Sequence, residues 1–164
     1  MTMRTMDGIR SVLQLKDDKA EVPDVYLGAT LSQVETKTGT KCWSMFLEKY
    51  IKAAIDNLES KPRKSDMHLP KCRTTMLTSY HPMEDVTKDL NAESIQFYQE
   101  LIGILRWAVE IGRVDILLEV SLFSSHLAFP RFGHLQAVYH KFGYLKQIPN
   151  RKLYFDPVSP LIRK

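Results

Sequence analysis

The feature that most restricts this chain is the block from Asn91 to Ile148. There apolar residues recur at threes and fours, punctuated by Gly112 and Pro130. That spacing belongs to helices that turn one face toward a core. Ile95, Tyr98, Leu101, Ile102, Leu105, Ala108 and Val109 share one face of a first helix, Ala92 to about Ile111, with Asn91 as its N-cap. Arg113 to Ala128 is apolar nearly all round except at Asp115 and Glu119, which predicts a buried second helix. Pro130 suits the first turn of a third, with Leu135, Val138, Tyr139, Phe142 and Leu145 as its stripe. Gly103, Gly112, Gly133 and Gly143 sit in or between these helices. A glycine inside a helix costs about 1 kcal/mol against alanine, so close packing is expected at these positions. Ile148-Pro149-Asn150 ends the group, and Lys152 to Phe155 reads as a short strand.

The first half mixes periods. Met3, Met6, Ile9, Val12 and Leu13 predict a short helix over 2–14. Asp24 to Val34 alternates and reads as one strand, with Val25, Leu27, Ala29 and Leu31 on one side and Tyr26 and Thr30 on the other. Thr36 to Thr40 is a hairpin turn in which Gly39 takes positive φ, and Lys41 to Met45 is the returning strand. Ser44 is the expected N-cap of a helix from Met45 to Ser60, with Leu47, Tyr50, Ile51, Ala54, Ile55 and Leu58 on its apolar stripe. Lys61-Pro62 stops it, because proline disfavours the α conformation in the residue before it. Pro62 to Asn91 has no clean period and exceeds the usual length of a structureless loop. It is expected to lie along another domain or a ligand. The fold class is therefore α+β, predominantly α-helical: a two-stranded hairpin, one helix, a long connector and a three-helix group.

Composition bounds the function classes. With 164 residues, 44% hydrophobic and 26% charged, the chain can form one core, which excludes a disordered, collagen-like or disulfide-stapled protein. Cys42 and Cys72 are the only cysteines and are expected as free thiols in a reducing compartment. No apolar run spans a membrane and the N-terminus has no secretory segment, so an intracellular place, cytoplasm or nucleus, is expected. The net charge is +4, and it is segregated. Lys61, Arg63, Lys64, Lys71 and Arg73 face only Asp66 in their stretch, whereas residues 74–100 carry five acidic side chains against Lys88. From Lys141 onward six basic residues stand against Asp156. Segregation of this kind suits a surface that meets a polyanion on one side, although solvated basic loops produce it too.

Catalytic signatures are missing. The sequence has no nucleotide-cradling glycine loop, no CxxC and no HExxH. His126, His134 and His140 are spaced poorly for a metal site. Ser124-Ser125-His126 lacks a strained nucleophile turn. Asp17-Asp18 invites comparison with carboxylates that bridge two Mg²⁺ ions, but it sits in the charged loop Lys16-Asp17-Asp18-Lys19.

A longer set of motifs is specific. Tyr26-Leu27-Gly28-Ala29 follows a Leu-Lys-Asp-Asp segment; Trp43-Ser44 and Lys49-Tyr50 come next. Then come Tyr98-Gln99-Glu100-Leu101-Ile102-Gly103-Ile104-Leu105-Arg106-Trp107-Ala108, Gly112-Arg113-Val114-Asp115-Ile116, Gly133-His134-Leu135 and Tyr144-Leu145-Lys146. In order and spacing, from about residue 5 to residue 158, the chain resembles the C-terminal part of the reverse transcriptase of copia-type (Ty1/copia) retrotransposons. Phe46 and Phe132 depart from the pattern, standing where the family more often has small or polar residues.

The resemblance implies a division into the end of the palm, a primer-grip-like hairpin and a thumb helix (1–60), a connector (61–91), a helical thumb and connection region (92–158) and a tail (159–164). It implies a primer-grip-like site at Tyr26, Leu27 and Gly28, where an aromatic packs on sugar and glycine lets the backbone approach phosphate. Lys49 and Lys52 would meet phosphates. Tyr50 reads first as a core residue, and Arg106 and Arg113 read first as partners of Glu110 or Asp115, with nucleic-acid contact as the lesser reading. The family's catalytic aspartate hairpin and its RNase H domain have no counterpart in this sequence, and Asp17-Asp18 does not match the hairpin. The implied protein is thus a truncated RNA-directed DNA polymerase fragment, inactive alone, with no cofactor of its own; Mg²⁺ belongs to the intact polymerase. Its expected partners are an RNA/DNA or DNA duplex and other parts of the polyprotein, with no membrane. The alternative is a non-enzymatic interaction module or a pseudogene product derived from a retroelement.

Overall fold

The structure is a computed structural model that describes residues 8, 11–12, 22–60, 68–76, 79–155 and 157. The helix expected over 2–14, Asp17-Asp18, the cations Lys61, Arg63 and Lys64, and the tail from 158 lie outside the described residues, apart from residues 8, 11 and 12. Four strands form one antiparallel sheet in the order of the chain: β1 (Val25–Tyr26), β2 (Ala29–Glu35), β3 (Lys41–Phe46) and β4 (Lys152–Phe155). Among the described residues, four helices with full bounds accompany it: α1 (Glu48–Ser60), α2 (Ala92–Glu110), α3 (Leu117–Ser124) and α4 (Phe132–Gln147). Short 3-10 turns occupy Pro82–Glu84 and Val114–Ile116. The coarse class, a mixed α+β fold with several helices, is as expected. No described helix is long and apolar enough to cross a membrane.

The sheet is larger than the expected two-stranded hairpin. The single strand read over Asp24 to Val34 is two strands folded back on each other, with Val25 opposite Thr30 and Tyr26 opposite Ala29. The break is a two-residue turn in which Leu27 has φ +50° and Gly28 φ +88°. Alternation continues through such a turn, so the period alone hides it. The Thr36 to Thr40 turn forms as read, with Gly39 at φ +78° and the Gly39 N–H donating to the Thr36 carbonyl at 2.9 Å. Strand β4 adds to β3, pairing Trp43 with Phe155 and Phe46 with Lys152.

Ser44 is not a helix cap. It lies inside β3, buried, and its hydroxyl meets that of Ser32 across the ladder at 2.8 Å. Helix α1 starts three residues later than expected, and the Leu47 carbonyl accepts its first bond from the Ile51 N–H. Ile51, Ile55 and Leu58 bury its apolar stripe, and Tyr50 is half-buried with its hydroxyl donating to the Ile104 carbonyl at 3.2 Å. Helix α2 forms as read: the Asn91 side chain accepts from the Ser94 N–H at 2.9 Å, and Tyr98, Leu101, Ile102, Leu105 and Ala108 enter the core. There the Tyr98 hydroxyl donates to the Phe123 carbonyl at 2.8 Å. Each of the buried leucine and isoleucine side chains contributes about 1.5–3 kcal/mol.

The helix expected over Arg113 to Ala128 is shorter and is not buried all round. Gly112 turns at φ +131°, a 3-10 turn follows, and α3 has only eight residues, with Leu117 and Leu118 facing out. The central helix is instead α4, whose residues are buried on nearly every side, including the polar His134, His140 and Lys141. Pro130 lies before the N-cap residue Arg131 rather than in the first turn.

The connector explains that burial. It lies along this chain's own α4. An irregular segment has no ladder of its own, so its carbonyls need donors from elsewhere. His140 Nε2 bonds the Thr74 carbonyl at 3.1 Å, Lys141 Nζ donates to the Thr75 carbonyl, and the Cys72 thiol donates to the His140 carbonyl at 3.2 Å. Further on, the Phe132 N–H donates to the Lys88 carbonyl at 2.9 Å and the Gly133 N–H to the Thr87 hydroxyl at 2.8 Å. Gly133 and Gly143 allow the close approach, since a Cβ there would overlap Asp85 or the Pro70 backbone. Gly103 does not behave so: it is exposed in mid-α2 and a Cβ would meet nothing within 4 Å. Gly103→Ala is therefore expected to raise the free energy of unfolding by about 1 kcal/mol through helix propensity. A urea titration checks this; an unchanged or lower midpoint contradicts it.

Candidate nucleic-acid interface

One end of the sheet gathers most of the residues expected to grip a duplex. The β1–β2 turn projects from it, with Tyr26 57% and Leu27 53% exposed. Ala29, fully buried beside the turn, holds it to the core. Leu27 at positive φ is strained for a side chain with a branched γ-carbon, by about 1–2 kcal/mol. Gly28 has open space over its Cα, so a partner's backbone can come close.

The strand register places the other residues. Thr30 pairs with Phe46, and Phe46 pairs with Lys152. The Leu27-Gly28 turn, the end of β3 and the start of β4 therefore share one end of the sheet. Helix α1 begins there through Leu47, which puts Lys49 and Lys52 in its first two turns. Lys49 is exposed. Lys52 pairs with Glu48 at 2.7 Å on the surface, an i,i+4 pair worth a few tenths of a kcal/mol that a stronger anion can displace. Lys152 joins the same end, its ammonium 4.9 Å from the centre of the Phe46 ring. Arg151 is next to it and reaches Asp115 at 3.8 Å. Lys152 and Arg151 were not among the expected site residues. Their basicity is plain in the sequence, but only the β3–β4 register brings them here. Lys71 and Arg73, the described cations of 61–73, are exposed on the connector.

The two remaining expected residues do not join this end. Arg106 is exposed on the outer face of α2, beside α3. Arg113 is inside, 1% exposed, and its guanidinium grips Asp115 through Nε and Nη2, both at 2.9 Å. The Tyr144 hydroxyl donates to the same carboxylate at 2.8 Å. Burial pushes the Asp115 carboxyl up, but the hydrogen bonds and charge of Arg113 and the bond from Tyr144 outweigh it and hold the group below its ordinary value. The pairing of Arg113 with Asp115 read from the sequence is thus present, and it ties the α2–α3 junction to α4. Burial leaves Arg113 no access to a duplex.

The histidines form no metal centre. His126 and His134 stack with centroids 4.1 Å apart. His134 Nδ1 accepts from the Arg131 N–H at 2.8 Å, which leaves Nε2 as the donor toward the Pro82 carbonyl at 2.9 Å. Both nitrogens are spent on fixing the start of α4. Among the described residues no group of three or more His, Cys, Asp or Glu converges as metal ligands would. No family model, curated protein or solved structure matches the sequence or the fold.

Proposed function

We propose that this chain is the duplex-gripping part of a copia-type retrotransposon reverse transcriptase, holding RNA/DNA or DNA backbone without sequence preference and without polymerase chemistry of its own. The observation that supports it best is the sheet end just described. An anchored turn presents Tyr26, Leu27 and Gly28 outward, and Lys49, Lys52 and Lys152 stand at the same end. Each component has a physical task in such a grip. The aromatic ring packs on sugar, the glycine admits a phosphate, and the lysines release counterions. The charge is local, which fits a contact with one side of a duplex rather than immersion in it.

Fluorescence anisotropy with a labelled RNA/DNA hybrid tests the proposal. Affinity is expected to fall steeply as salt rises. Lys49→Gln is expected to reduce the log–log salt slope by about 1, whereas Tyr26→Ala weakens binding at every salt concentration with the slope unchanged. Absence of binding at low salt rejects the reading. So does binding that neither substitution alters.

A further inference from the structure

The outer surface between α2 and α3 holds a groove of about 260 Å³. Val109 and Val120 form its floor, with Arg106 and Glu110 along the α2 rim and Leu117 and Ser121 along the α3 rim. Beside it α3 turns Leu117, Leu118 and Ser121 to solvent, and Val114 precedes them; Leu118 is 70% exposed. This outer strip carries no charge. A contiguous apolar strip next to a groove is the usual signature of a contact surface.

The charges on the rim decide the occupant. Arg106 and Glu110 are exposed, one helical turn apart, and neither forms an ion pair with a described residue. Arginine placed before glutamate at i,i+4 is the weaker order for pairing within a helix. A nucleic acid would call for cations alone, and a charged peptide for one sign. One cation and one anion on adjacent turns, beside an uncharged strip, complement the same surface rotated by a two-fold axis.

We propose that this face docks a second copy of the chain. The α2–α3 surfaces pack about a two-fold axis, Leu118 of each copy enters the other's groove, and Arg106 of each pairs with Glu110 of the other. The ion pair forms twice by symmetry, so reversing one charge is felt at two places.

Sedimentation equilibrium of the full chain across a wide dilution series reads the result. The wild type is expected to show a reversible monomer–dimer equilibrium. Arg106→Glu and Glu110→Arg should each weaken the dimer by about tenfold or more, since like charges then face each other twice. The double reversal should restore the wild-type dissociation constant to within about threefold, because the pair is only exchanged between copies. Leu118→Glu should abolish the dimer. Far-UV circular dichroism and a urea midpoint establish that each variant is folded. A wild type that stays monomeric at every concentration overturns the proposal. So does a dimer that survives both single reversals, or a folded double reversal that fails to recover.

Discussion

Lys141→Met is expected to lower the free energy of unfolding by about 3–5 kcal/mol at neutral pH, the usual cost of removing one partner of a buried ion pair. Lys141 is fully buried, its ammonium 3.3 Å from Glu119 Oε1 and donating to the Thr75 carbonyl. Methionine fills the stem's volume, but it leaves the Glu119 carboxylate and the Thr75 carbonyl without that donor. Burial brings the Lys141 ammonium down to about 8, even though the Glu119 charge and hydrogen bond pull the other way. The sign of the pH effect follows. Between about 8 and the ordinary lysine value the unfolded chain holds a proton that the folded one has released, so this group adds stability as pH rises. The gap between wild type and Lys141→Met should therefore widen from pH 8 to pH 10 (an interval set by the lysine values) in parallel urea titrations. Cys72 and several tyrosines titrate nearby with the opposite sign, and taking the difference largely removes them. Adding Glu119→Gln to the variant should recover most of the loss, because the stranded charge disappears. A gap that is constant with pH, or a double variant no better than the single, contradicts this account.

Gly143→Ala is the second large effect, and it is expected to cost about 3 kcal/mol. On propensity alone alanine would gain about 1 kcal/mol in a helix interior. Here the new Cβ would overlap the Pro70 carbonyl oxygen and come within 3.1 Å of Pro70 Cδ and 3.2 Å of Cys72 Sγ. The closest of these is backbone, so no rotamer change relieves it. Segment 68–76 would have to lift from α4, and that uncouples the carbonyls of Thr74 and Thr75 from His140 and Lys141. The same substitution at Gly103 carries the opposite sign, so the two variants form a matched pair. Thermal or urea unfolding of both checks the contrast; destabilisation of similar size at the two positions contradicts it.

How much of this the sequence discloses depends on the range of the interaction. Helix α2 is legible from end to end because its cap, Asn91, and its stripe are local patterns. The Gly39 turn is legible for the same reason. The turn at Leu27-Gly28 is not, because it keeps the alternation of its flanks and lacks the Asn-Gly or Asp-Gly signal. Apolar density misleads at α3, where Leu117 and Leu118 face outward, and polarity misleads at α4, where His140 and Lys141 are interior. In both cases the deciding neighbour is distant in the chain. The candidate site follows this rule. Tyr26, Leu27, Gly28 and Lys49 carry motif-level signals, whereas Lys152 reaches them only through a strand register that no local pattern encodes.

Strand β4 sets an order on the birth of the protein. Its partners in β3 lie more than a hundred residues earlier, as in Trp43 with Phe155. During synthesis the N-terminal hairpin leaves the ribosome with one side of β3 unpaired, and it stays so until Lys152–Phe155 arrives. An open strand edge of this kind recruits other chains. The connector is in the same position, since its carbonyls wait for donors on α4 that are translated later. Nascent chains of this protein therefore pass through a long interval in which the half that carries the Leu27-Gly28 turn is made but not closed, and chain release before that closure favours aggregation over folding.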